Sequence, residues 1–353
     1  MDSRERILTT LHGGIPDRIG RSDSIWSETL KRWKGEGLET DDVGQFFGFD
    51  FGGFGGCDLS LRLPSEIIEE TDEYIIQRDG NGVTRKDIKR ESGHTPHWMD
   101  HTLKDGKDWY TYKERLAFDE SRVPLERLKE VLAGQRARKL FVPFLSTECY
   151  ELAWPVFGQV GIFTMMLDEP EVAADVFSTW TDLLISALDY MLSNGIDFDG
   201  GFFYGDMGYR NSTLFSPECY RELILPSHKR MCDFFKSHDK PVILHSCGKI
   251  ESFLPMIIEA GFSAIQPLEA KTGQDVRVLK ELYGKKLTFF GNIDVRKLSG
   301  TKQDIEEEIR SKLAVAMEGG GYIFHSDHSV PPTVSLDNYK YAMELVGKYG
   351  RYE

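Results

Sequence analysis

The sequence predicts an α/β fold, a (β/α)8 TIM barrel with an N-terminal extension and a β-hairpin insertion. Three observations carry this expectation. Continuous apolar strands alternate with amphipathic helices through the second half of the chain, the pattern of a parallel sheet covered by helices. Extending the count backwards brings the strand–helix units to seven or eight, which suits a closed barrel better than an open sheet. No G-x-G-x-x-G follows any strand, which weakens a dinucleotide-binding sheet.

Taken in order, DRIGRSDSIW (17–26) is the expected first strand. Residues 40–135 then break the pattern and are read as an insertion on one barrel domain spanning 1–353. Inside it, EYIIQRDGNGVTRKDIK has the form of a hairpin turning on Asp79, Gly80, Asn81 and Gly82. KLFVPFLS (139–146) is the next strand, followed by a helix over 168–192 with Asp168 as cap and Pro170 in its first turn. FDGGFFYGDM (198–207) is a buried strand. Its helix opens at Ser216 and Pro217 and is kinked by Pro226. KPVILHSCG (240–248) is a strand, and the helix after it stops at Gly261. Strands at 263–269, 286–294 and 321–328 each precede a further helix.

Composition narrows the function. The 353 residues hold 43 Lys and Arg against 57 Asp and Glu, a net charge of -14. That excludes nucleic acid and an anionic membrane as main partners. Five cysteines are too few and too scattered for a disulfide framework. The start is charged and amphipathic, and no apolar run reaches the roughly 18 residues of a spanning helix, so a cytoplasmic protein is expected.

Barrel enzymes place their chemistry at the C-terminal strand ends. Here those ends read Glu148, Asp206, His245 with Cys247, Glu269, Asn292 with Asp294, and His325 with Asp327 and His328. His245 and Cys247 are two apart on a strand and so point the same way. An imidazole and a thiolate at that spacing suit one tetrahedral zinc. A lone His-x-Cys is ordinary strand sequence, and it gains meaning from its place at a strand end opposite a second histidine group. A third ligand must come from another strand end. His328 is the choice, and His325 competes for that place or contacts a ligand from behind. Asp206 and Glu148 are the candidate general acids or bases, further ligands, or caps of the following helices. Trp26, Tyr204, Tyr209, Asn292 and His325 are candidate substrate contacts. His94, His97 and His101 form a loop cluster more typical of solvated histidines than of a metal site. Cys57, Cys149, Cys219 and Cys232 are read as bystander thiols.

The stretches SRERILTTLHGGIPDRI, PVILHSCGKIESFLPMIIEAGFSAIQPLEAKTGQDVRVLKELYGKKLTFFGNID and GGGYIFHSDHSVPPTVS resemble the uroporphyrinogen decarboxylase superfamily. The resemblance implies a (β/α)8 barrel and one of two chemistries. One is cofactor-free decarboxylation of a tetrapyrrole octa-acid. The other is zinc-dependent methyl transfer to or from a corrinoid protein. The arginine-rich loop of the decarboxylases is missing. Arg18 and Arg21 remain in RIGRSDSIW, and Asp50 falls roughly where the decarboxylases carry a central aspartate. The methyltransferase branch, with its His-x-Cys and a further Cys, is closer; His328 stands where that Cys would be. A His-Cys-His site keeps a formal charge of +1 on zinc, which favours polarising an ether or alcohol oxygen. The resemblance therefore implies a zinc-dependent methyltransferase. It would act between a small methylated substrate, typically methoxylated, and cobalamin carried by a corrinoid-binding partner, with O-demethylation as the favoured half-reaction. A uroporphyrinogen-type decarboxylase and a non-catalytic ligand-binding barrel are the competing readings, and a homodimer is open.

Overall fold

The computed structural model describes residues 1–89 and 96–352. Its strands in chain order are β1 (Gly20–Arg21), β2 (Glu66–Glu70), β3 (Tyr74–Arg78), β4 (Val83–Ile88), β5 (His97–His101), β6 (Pro143–Thr147), β7 (Gly200–Tyr204), β8 (Val242–His245), β9 (Ala264–Gln266), β10 (Thr288–Phe290) and β11 (Tyr322–Phe324). Seven of them form a curled parallel sheet in the order β1-β11-β10-β9-β8-β7-β6. The segment 50–54 lies between its two edges. The Asp50 N–H donates to the Arg21 carbonyl, and Gly52 and Phe54 donate to Phe141 and Pro143. The bridges of this segment, Phe51 to Phe141 and Phe54 to Phe144, are isolated, so the structure draws seven regular strands in this sheet where eight were expected. Gly52, Gly53 and Gly55 leave room there only for backbone, because a Cβ on each would strike Gln135, Leu145 or the Leu145 carbonyl.

Two cores result. The larger packs the helices onto the outside of the sheet. The smaller lies inside the curl, where Phe141, Phe202, Ile243, Ala264, Phe290 and Ile323 meet Ile7 and Leu11. Ile7 and Leu11 belong to the first helix, Ser3–Leu11, which is started by a capping box between Asp2 and Glu5. This helix seals the end of the sheet where the strands begin.

Several expectations shift. The first strand shrinks to β1, since the chain after Arg21 makes only one bridge, Ile25 to Val330. A helix not expected from the sequence, Cys149–Asp168, follows β6 directly. Asp168 ends that helix, and Glu169 starts the next, Pro170–Ser193, whose first residue tolerates proline because its N–H needs no partner. Before Pro226 the helix widens into a π turn, Tyr220–Ile224, in keeping with the missing proline N–H.

The expected hairpin is β3–β4, within a four-stranded antiparallel sheet of order β2-β3-β4-β5. The Asp79 carboxylate accepts from the Asn81 and Val83 N–H groups, and Gly82 takes the left-handed φ of 73° that the turn requires. His97 and His101 fall on β5, with His101 Nδ1 donating to the Pro155 carbonyl, while His94 lies outside the described residues. No helix among the described residues is long and apolar enough to cross a membrane.

Candidate active site

The inner core continues upward into polar residues by the strand period of two. Phe202 is followed on the same side by Tyr204, Ile243 by His245, Ala264 by Gln266, and Ile323 by His325. Phe202, Tyr204, His245, Gln266 and His325 line a cavity of about 300 Å³ together with Cys247, His328, Ser22, Ser24, Phe51 and Phe290. Apolar residues form its floor, and the polar groups sit at the C-terminal strand ends.

Asp206, His245 and Cys247 bring one carboxylate, one imidazole and one thiol together, all ligand atoms lying within 4.8 Å of one another. His245 Nε2 is 3.4 Å from Cys247 Sγ and 3.4 Å from Asp206 Oδ1. Tetrahedral zinc, with N and O at about 2.0 Å and S at about 2.3 Å, separates such donors by about 3.5 and about 3.3 Å. The donor set therefore fits zinc in identity and in the two distances from His245 Nε2. The loops that carry it are pressed together at two glycines. A Cβ on Gly248, whose φ is +81°, would lie 2.3 Å from the Gly208 carbonyl carbon. The Cys247 N–H also donates to Asp206 Oδ1 at 2.9 Å.

The charge state follows from the surroundings. Burial, then the carboxylates of Asp206 and Glu269, push the Cys247 thiol far above its ordinary value. A bound cation reverses that by binding the thiolate. Burial would raise Asp206 too, but the hydrogen bond and charge of His245 and the Cys247 N–H outweigh it and hold Asp206 low. Its side chain is 52% exposed, so solvent screens much of this effect.

His245 is held from behind. Its Nδ1 donates to Gln266 Oε1, so that the neutral ring turns the Nε2 lone pair to Cys247 and Asp206, and the protonated ring is the form that holds Asp206 low. Tyr204 packs on the ring, with centroids 4.9 Å apart. Gln266 in turn reaches His325 Nε2 at 3.2 Å. His325 Nδ1 donates to the Ser326 carbonyl and lies 3.6 Å from the fully buried Asp23. Burial raises the Asp23 carboxyl, which also accepts from Tyr339 at 2.7 Å.

The remaining candidates are placed differently from the sequence reading. His328 lines the cavity but is not in the Asp206–His245–Cys247 group; it sits edge-on to Trp26 at 5.8 Å. A site with Asp206 in place of His328 has two anionic donors, so the argument from a residual +1 charge lapses, and with it the preference for O-demethylation. Glu148 is fully buried, and its carboxylate caps the helix after β6 through the Tyr150 and Glu151 N–H groups and meets His228 at 2.7 Å. It stands against Gly205, beside Asp206, rather than on the cavity wall. Asn292 is likewise off the wall. Gly291 and Asn292 both have positive φ, which turns the chain away after β10, and the Asn292 amide ties Val276, Leu268 and Gln274 together. Tyr209 is exposed and outside the lining, and Trp26 is half-buried and outside it too.

Two residues were missed. Gln266 was passed over because the strand was read on to Glu269, whereas β9 stops at Gln266; a polar residue at an inward strand position was the available signal. Glu151 accepts from the Asp206 N–H at 3.2 Å and is pushed up to about 8 by burial, then by Asp206 and Glu148, against a Trp154 hydrogen bond. Its position beside Asp206 depends on the helix Cys149–Asp168, which the sequence reading did not contain.

The family profile for uroporphyrinogen decarboxylase (URO-D) matches residues 153–349. The chain belongs to this family. URO-D relatives of two kinds are similar to it. A methylcobamide:CoM methyltransferase, MtbA, of Methanosarcina acetivorans is 23% identical over 304 residues, 80% of each chain. A methylated-thiol–coenzyme M methyltransferase of Methanosarcina mazei is 26% identical over 171 residues, 48% of this chain and 43% of the relative. A uroporphyrinogen decarboxylase of Schizosaccharomyces pombe is 32% identical over 151 residues, 38% of this chain and 39% of the relative. The last two matches thus span less than half of the relatives' length. A solved methyltransferase from Methanosarcina mazei superposes with a TM-score of 0.69 at 15% identity, covering 99% of both chains, a likeness of fold.

Proposed function

We propose that this protein is a zinc-dependent methyltransferase. It moves a methyl group between a small methylated substrate and a corrinoid carried by a partner protein. The observation that carries the reading is the meeting of Asp206, His245 and Cys247 beside the cavity. Those three residues would hold the metal, which supplies Lewis-acid activation of the substrate heteroatom when bound. The apolar floor of Phe51, Phe202 and Phe290 excludes water below it. Tyr204 and His328 flank the space left for substrate. A volume of about 300 Å³ stands at the small end of ligand pockets, suiting a small molecule. The segment 50–54 is read as the eighth strand of a single barrel domain, with the antiparallel sheet as its insertion.

The decarboxylase reading draws support from the relatives of that name, but the site offers it little. No lysine or arginine is among the residues that line the cavity. Arg18 pairs with the buried Asp50 at 2.8 Å, and Arg6 reaches the same carboxylate. Asp50 is thus a structural anchor of the N-terminal helix.

The test is methyl transfer to cob(I)alamin from a panel of methoxylated, S-methylated and N-methylated compounds, with and without a zinc chelator. Chelator-sensitive methylcobalamin formation is expected. Carbon dioxide release from a uroporphyrinogen, indifferent to chelator and without methyl transfer, would overturn the proposal.

A further inference from the structure

Gln266 connects His245 to His325, and the direction of every hydrogen bond along this line can be worked out from one end. The Ser326 carbonyl only accepts, so His325 Nδ1 must carry the hydrogen. A neutral His325 then has a bare Nε2, which needs a donor. The group that faces it is the Gln266 amide nitrogen, at 3.2 Å. With its nitrogen committed to His325, the amide turns its oxygen to His245 Nδ1, which must donate. The hydrogen of His245 is therefore on Nδ1, and Nε2 presents a lone pair to the point shared with Cys247 and Asp206. The opposite amide orientation would set the amide oxygen against the bare Nε2 of His325, lone pair against lone pair, and put the hydrogen of His245 on Nε2, where it blocks a metal.

We propose that Gln266 is the positioning residue of the site: locked by His325, it fixes the His245 tautomer that can bind a metal. Gln266 is 4% exposed and His325 likewise, so water does not compete for these bonds. Phe290 packs edge-on to His325 at 5.4 Å and holds its ring. The metal-binding consequence rests on the zinc reading above; the tautomer does not.

The test uses the full chain labelled with 15N-histidine. Two-bond 15N–1H spectra of the metal-free protein, recorded at a pH where the ring is neutral and with His245→Gln to assign the signal, are expected to find His245 in the Nδ1–H form. Zinc affinity, from competition with a chromophoric chelator, is expected to fall roughly ten- to a hundredfold in Gln266→Met. Gln266→Glu, which keeps an acceptor for His245, is expected to recover most of it. An Nε2–H tautomer in the wild type, or a Gln266→Met protein that binds zinc like the wild type, overturns the proposal. A wild type in the Nδ1–H form that takes up no zinc sustains the tautomer assignment and overturns the zinc reading instead.

Discussion

Among the described residues, two clusters each hold a carboxylate, a thiol and an imidazole within 4.8 Å of one another: Asp206–His245–Cys247 and Glu148–Cys149–His228. Residue type does not separate them; the use of lone pairs does. In the second, the Glu148 oxygens accept from the Tyr150 and Glu151 N–H groups and face His228 and Cys149. His228 Nδ1 is taken by the Tyr220 hydroxyl at 2.8 Å. All three residues are buried, and their donors are satisfied by protein. In the first, Asp206 accepts from the Cys247 N–H and the back of the imidazole is tied down, but His245 Nε2 and Cys247 Sγ face each other beside a cavity. The closed cluster is a joint of the scaffold beneath Gly205; the open one is the place proposed for the metal.

Exchanging the roles of these clusters is the way to break the comparison. The largest effect is expected from Cys247→Ala, which should take bound zinc from about one per chain to near zero, while Cys149→Ala keeps it; metal analysis after gel filtration reads both. Glu148→Ala should cost about 3–5 kcal/mol of stability in urea unfolding, because it strands a buried imidazole and two N–H groups. Its zinc content should stay near that of the wild type. Asp206→Asn keeps the bond to the Cys247 N–H but removes an anionic donor. It should weaken zinc by more than the roughly ten- to a hundredfold of an outer contact, as chelator competition would measure.

The smallest effect concerns pH. Glu151 titrates at about 8 in the folded metal-free protein, above its unfolded value near 4.5. A carboxyl raised on folding favours the native state while protonated, so its contribution is lost as pH rises between those values. Glu151→Gln should therefore flatten the decline of stability from pH 5 to 9, measured by thermal unfolding without metal. An unchanged slope would remove Glu151 from the account.

Much of this contrast was legible in the sequence. The period of two along the strands carries Phe202 to Tyr204, Ile243 to His245 and Ile323 to His325, so a cavity with histidines at its rim follows from local pattern alone. What failed was the part decided by loops. The third donor depends on how closely the Gly208 and Gly248 backbones approach, a tertiary contact with no local signature. Asn292 has a strand-end position, yet its positive φ turns its amide into the loop. Glu148 matched both the capping and the catalytic reading, and only the buried His228, 80 residues away in sequence, separates them.

The most direct measurement is zinc K-edge X-ray absorption on the zinc-loaded protein. One sulfur at about 2.3 Å with the remaining nitrogen and oxygen donors at about 2.0 Å is the predicted shell, and the sulfur should vanish in Cys247→Ala. A protein that retains no zinc, or a shell without sulfur, would contradict the claim that Asp206, His245 and Cys247 form the centre of this site.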